Sequence, residues 1–219
     1  MGTLRRFDVQ MMKEHCGLVN YLETGTGAGD SLEYVIDCKF EKYLTVEIDP
    51  EQSKSTQNKI PLPKYYIGKS IDKLPEMLKE LGPEPTLFFL DAHFPQADSR
   101  QITYTESINQ YKEDAFPLEK ELTIIMESRN IDKDAFVIDD YWIYDKSEDF
   151  NKYKFLSSDA WFETVNGKRV WKHKDLVGKM NMDVNLKVNF FLESVKDTHS
   201  IEKEYIDQGY LIVTPKGEN

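Results

Sequence analysis

Chemistry-bearing residues are concentrated at four places in this sequence: Glu23-Thr24-Gly25-Thr26-Gly27-Ala28-Gly29, Glu47, Asp91-Ala92-His93 and Asp139-Asp140. Alternating glycines weaken a helix or a strand, so their use here is conformational: they let backbone approach a ligand closely. The residues that follow, with Asp30 and Ser31 as N-cap candidates, open a helix whose unpaired N–H groups face whatever the glycines admit. Glu47 closes an apolar run, and a carboxylate there can accept both hydrogen bonds of a ribose diol. Asp91, Asp139 and Asp140 are hard oxygen donors without a His/Cys set beside them. If gathered, they would repel strongly unless a cation sat among them, and that cation would be magnesium, manganese or calcium rather than zinc. A histidine can remove a proton near neutral pH, so His93 is the candidate base, with a helix-capping or packing histidine as its bland alternative.

The elements that must position these residues follow from periodicity. An amphipathic helix is expected over 4–16, then a short buried strand at Leu18–Leu22 that runs into the glycine loop, then a helix to about Cys38. Tyr43–Ile48 and Lys64–Ile67 read as strands, with helices over Glu51–Lys59 and Ile71–Leu81 after them. Thr86–Leu90 is apolar throughout, the profile of a central strand covered on both faces, and it ends at Asp91. The segment 94–116 has too little periodicity for an element and reads as a lid or acceptor loop, carrying Asp98, Arg100, Tyr104 and Glu106, or as a plain surface loop. A helix from Pro117 to Ser128 and a strand at Ala135–Ile138 lead to Asp139-Asp140-Tyr141-Trp142. Phe190-Phe191-Leu192, Ser200–Tyr205 and Tyr210–Thr214 suggest a closing antiparallel hairpin. The expected fold class is therefore α/β and Rossmann-like: a mostly parallel central sheet, helices on both faces and a C-terminal antiparallel hairpin, in a single domain over 1–219. In such a sheet the ligand lies outside the carboxyl ends of the strands, where these residues fall.

Composition narrows the function. With 219 residues, 40% hydrophobic and 31% charged, the chain can bury a full core. Its net charge of −11, from 28 basic and 39 acidic residues, argues against a nucleic-acid partner. No apolar run suits a membrane span or a secretory leader, and two cysteines make no disulfide framework, so a cytoplasmic location is expected. The run Lys168–Lys174 would meet an anionic acceptor or form a solvated face. Tyr141 and Trp142 would wall an acceptor pocket or pack under the hairpin. Whether copies of the chain form a homo-oligomer is left open.

The G-x-G-x-G spacing differs from the G-x-G-x-x-G of nicotinamide enzymes, and with Glu23 before it and Glu47 after it favours S-adenosylmethionine (SAM) over a dinucleotide. With Val46-Glu47-Ile48-Asp49, Gly68-Lys69-Ser70, Phe89-Leu90-Asp91 and Ile138-Asp139-Asp140-Tyr141, the sequence resembles metal-dependent small-molecule O-methyltransferases. The pattern is nearest the macrocin-type sugar enzymes, with catechol O-methyltransferases more distant. The resemblance covers residues 18 to 142 and the closing hairpin. It implies that the loop from Glu23 through Gly25, Thr26, Gly27 and Gly29 to Ser31 holds the methionine part of SAM. Glu47 with Ile48 would take the ribose, and Ser70 with Ile71 or Asp72 the adenine edge, while Asp91 borders the donor. It further implies that Asp91, Asp139 and Asp140 bind Mg2+ or Mn2+. The sugar enzymes place an acidic residue where this chain has His93. The expected reaction is methylation of a hydroxyl on a sugar, in a glycan or glycosylated metabolite. A catechol or phenol acceptor, an inactive SAM-binding module and a nicotinamide-binding protein are the alternatives.

Overall fold

A computed structural model of the chain describes residues 3–97, 101–145, 162–165, 168–171, 186–206 and 209–217. Strands β1 (Asn20–Thr24), β2 (Lys42–Glu47), β3 (Lys64–Ile67), β4 (Thr86–Leu90) and β5 (Ala135–Ile138) alternate with helices α1 (Val9–Cys16), α2 (Asp30–Val35), α3 (Pro50–Lys59), α4 (Ser70–Leu81), α5 (Tyr104–Tyr111) and α6 (Leu118–Ser128). A small antiparallel pair, β6 (Phe162–Val165) with β7 (Lys168–Trp171), stands apart from the main sheet. Helix α7 (Leu186–Val195) then leads into β8 (His199–Glu204) and β9 (Tyr210–Pro215).

The main sheet runs β3-β2-β1-β4-β5-β9-β8. Strands β3 to β5 in that order are parallel, and β9 joins antiparallel to β5 with Ile138 opposite Leu211. The chain winds outward from β1 to β3, then crosses back to β4, so the strand order reverses between β1 and β4 and a crevice opens at their carboxyl ends. Alternating side chains feed two apolar layers. Leu22, Phe88, Leu90, Phe136 and Ile138 pack toward α4, α6 and α7, where Phe136 stacks on Phe88 at 5.1 Å and meets Phe191 edge-on at 5.0 Å. Tyr21, Leu87, Phe89 and Val137 pack on the opposite face with Leu32, Val35 and Tyr210.

The expected α/β architecture is present, and four local readings are corrected. The opening helix is broken: a 3-10 turn at Leu4–Arg6 precedes α1, because Asp8 caps α1 by accepting from the Met11 amide at 2.8 Å. Gly29, at φ +85°, rather than Asp30 or Ser31, occupies the N-cap of α2. Phe190-Phe191-Leu192 belongs to α7, not to a strand, since Val188, Phe191 and Val195 are buried at helical spacing. Within 94–116 lies α5, started by a reciprocal capping box between Thr103 and Glu106. Phe94, Ala97, Ile108, Ala115 and Phe116 of that segment enter the core, so it is not a plain surface loop. Among the described residues no helix is long and apolar enough to cross a membrane.

Candidate functional site

The glycine loop leaves β1 in a conformation that side chains disfavour. Gly25 (φ +82°) passes so close to the chain after β4 that a Cβ on it would lie 2.4 Å from the Asp91 carbonyl oxygen, while a Cβ on Gly27 (φ +50°) would meet only open space. The loop is held from three sides. The Gly25 amide donates to the Val46 carbonyl at 3.0 Å, the Gly27 amide to Glu47 Oε2 at 2.9 Å, and the Gly27 carbonyl accepts from Gln52 and Thr56 of α3, each at 2.8 Å. Glu47 Oε1 accepts from the Asp49 amide at 3.0 Å, which with the Gly27 contact fixes the carboxylate at the pocket wall.

One pocket gathers the residues chosen from the sequence. From β1, its loop and the start of α2 come Glu23, Gly25, Thr26, Gly27, Gly29 and Ser31; from the end of β2 and the residue after it, Glu47 and Ile48; from the start of α4, Ser70 and Ile71. Asp91 and His93 after β4, and Asp140 after β5, complete it. Ser31 also accepts from the Leu4 amide at 3.2 Å, tying the N-terminal turn to the pocket wall. Asp139 does not line the pocket. Its side chain is buried and its Oδ1 accepts from the Asp140 amide at 2.7 Å.

The pocket floor carries carboxyls in water-poor surroundings. Burial pushes Glu23 up to about 8, against hydrogen bonds from Thr45 at 3.0 Å and Tyr21 at 3.2 Å that favour its charged form. Burial likewise raises Glu47, opposed by the amides of Asp49, Gly27 and Ile48. Beneath the site Glu121 of α6 is pushed up to about 7 by burial, partly offset by the nearby Ser70 and Thr24 hydroxyls and by His93.

His93 lies between two carboxylates. Its Nδ1 is 3.3 Å from Asp91 Oδ1, and its Nε2 makes a very short contact with Asp140 Oδ2. Asp140 reaches it from a left-handed backbone conformation at φ +48°. The expected three-carboxylate cage is therefore not formed: the imidazole separates Asp91 from Asp140, and Asp139 faces a backbone amide. Among the described residues no three His, Cys, Asp or Glu side chains are grouped as a cation site. The residues as placed do not fit a divalent metal.

Several contacts were not foreseen because they join segments distant in sequence. Lys69 pairs with Asp114 at 2.7 Å, and Gln101 donates to Asp49 at 2.7 Å, so the 94–116 segment is fastened to the rim formed by β2, β3 and their loops. Tyr141 lies outside the pocket, its amide donating to the Gly209 carbonyl at 2.9 Å and its ring under the Lys203 ammonium at 5.6 Å, which is the packing alternative. The Trp142 side chain, Asp98, Arg100 and Lys172–Lys174 lie outside the described residues. Lys168, Arg169 and Trp171 belong to β7. His199 is structural, its Nε2 facing the Asp134 carbonyl at 3.0 Å.

No family model matches the sequence, and no curated protein matches it. Solved structures do. A candidate caffeoyl-CoA O-methyltransferase from Staphylococcus aureus is similar over 95% of this chain and 81% of its own, at 11% identity and a TM-score of 0.57. The methyltransferase PaMTH1 from Podospora anserina, solved with S-adenosylhomocysteine (SAH) bound, is similar over 95% of this chain and 76% of its own, at 11% identity and a TM-score of 0.54. Likeness at that identity establishes the fold: this is the Rossmann-like fold of class I methyltransferases, with its mostly parallel seven-stranded sheet and antiparallel closing strands.

Proposed function

We propose that the chain is a SAM-dependent O-methyltransferase whose acceptor is an alcohol hydroxyl, of a sugar in a glycan or glycosylated metabolite. The observation that carries this reading is the meeting, in one pocket at the switch point of the sheet, of a ligand-admitting glycine loop, a fixed ribose-type carboxylate and a histidine braced by aspartates. The pocket suits the donor. The open side of Gly27 leaves room for the methionine portion, Glu47 stands at the pocket wall to receive a ribose hydroxyl, and Ser70 with Ile71 borders the adenine end.

SAM, when bound, supplies a methyl group made electrophilic by its sulfonium. The protein's part is to hold the acceptor oxygen in line and to remove its proton. His93, with Asp140 at Nε2 and Asp91 beside Nδ1, is the proposed base, and the two carboxylates stabilise the charge that the ring acquires. An acceptor that is a weak acid needs such a base, which is the reason for preferring a sugar hydroxyl. A phenolic acceptor is the second reading, favoured by the name of the Staphylococcus aureus neighbour.

Calorimetry of the purified chain with SAH and with NAD tests the donor: micromolar SAH binding that Glu47→Ala weakens is expected, and a preference for NAD would refute the assignment. Methyl transfer from labelled SAM to panels of sugars and catechols tests the acceptor. His93→Ala should lower turnover on sugars by about 10²- to 10⁴-fold. Retained turnover on sugars would remove His93 from the chemistry.

A further inference from the structure

The ring of His93 stands where a divalent cation would have to stand. A hard cation draws its oxygen ligands to within about 2.0–2.6 Å of one point. Here a planar ring fills the space between Asp91 and Asp140, with a nitrogen directed at each, and its side chain is only 8% exposed. The third carboxylate is already engaged, through Asp139 Oδ1, with the Asp140 amide. The ring keeps the two carboxylates apart and turns a nitrogen toward each, in the space that a cation would have to enter.

We infer that His93 occupies the cation position of this centre, so that the chain holds no divalent metal there and Asp91 and Asp140 act as positioning residues for the imidazole rather than as metal ligands. The chemical consequence rests on the proposed methyl transfer; the exclusion of the cation does not. In that reaction the acceptor O–C bond forms as the C–S bond breaks, and sulfur keeps the electron pair to become a neutral thioether. The hydroxyl proton passes to His93, flanked by two carboxylates that balance it, and no Lewis acid is required.

The experiment is a manganese titration followed by electron paramagnetic resonance, on the unliganded chain, comparing wild type with Asp140→Asn, His93→Gly, His93→Ala and His93→Gly/Asp140→Asn. Wild type should leave Mn2+ free up to millimolar concentration. At least one of the two single His93 variants that folds should gain a site about 10-fold tighter or better, and the added Asp140→Asn should abolish it. Wild-type binding below millimolar that Asp140→Asn removes would overturn the inference, and so would folded His93 variants that gain no site. SAH binding is measured separately on the same samples without metal. Its failure would refute the donor assignment and leave the manganese result to be judged on its own.

Discussion

At the residue scale, two glycines of the β1 loop separate folding from ligand binding. A Cβ at Gly25 meets backbone, the Asp91 carbonyl, which cannot swing aside as a side-chain end could. Gly25→Ala should therefore cost about 1–3 kcal/mol of stability, read as a lowered melting temperature, and weaken SAH binding at the same time. Gly27→Ala meets no protein atom, so its stability cost should stay near the roughly 1–2 kcal/mol of its left-handed backbone while the new methyl enters the pocket. A Gly27→Ala chain that folds and still binds SAH at wild-type affinity would move the donor elsewhere. Glu47→Gln loses charge-assisted hydrogen bonds worth about 1.5–3 kcal/mol, so SAH affinity should fall by about 10- to 100-fold in calorimetry. These positions were legible in the sequence because strand, glycine loop and strand-end acid form a local pattern. Lys69, Gln101 and Asp114 were not, since their roles come from pairings made only after crossovers of the chain. His93 was legible as a candidate for the site, but not as the wedge between two aspartates, which depends on the side-by-side ends of β4 and β5.

At the scale of elements, the strands were read most easily because an apolar run ending in a carboxylate has one natural place in a parallel sheet. Helix α7 was misread because Phe190-Phe191-Leu192 viewed alone suits either a strand or a buried helix; the wider spacing of Val188, Phe191 and Val195 decides it. Helix α5 carried a readable signal, Thr103 with Glu106 three residues on, inside a stretch otherwise too polar to show a period. That helix and its flanks are pinned by apolar side chains on the inside and, at the rim, by polar contacts that include Lys69 with Asp114 and Gln101 with Asp49. Partly exposed pairs of this kind are worth about 0–1 kcal/mol each. Lys69→Ala with Gln101→Ala should therefore raise the SAH dissociation rate by no more than about 30-fold in stopped flow, with little change in melting temperature. A large loss of stability would show that the segment is held at its rim rather than by its core contacts.

At the scale of the molecule, buried acids shape the pH response. Glu23, Glu121 and Asp134 are held at about 8, 7 and 6, in each case chiefly by burial and above the ordinary values of 4.5, 4.5 and 3.8. A raised carboxyl binds its proton more tightly when folded, so its contribution is complete below the unfolded value and is lost as pH climbs through the folded one. The melting temperature should accordingly fall between pH 5 and 8.5, and the net charge of −11 acts in the same direction. Glu23→Gln should flatten the fall above pH 7, and a melting temperature that rose across this range would contradict the burial of these groups. The far side of the sheet has a separate consequence. Strand β9 covers the flank of β5, whose Ala135, Phe136, Val137 and Ile138 are all buried, and β8 in turn covers β9, with Ser200, Ile201 and Glu202 exposed. A chain cut after residue 198 would bare β5 as a sticky apolar margin with unpaired amides and carbonyls, able to recruit the same margin of another molecule. Such a fragment should precipitate or grow thioflavin-positive fibrils, with the hairpin serving the intact protein as a shield against self-templating.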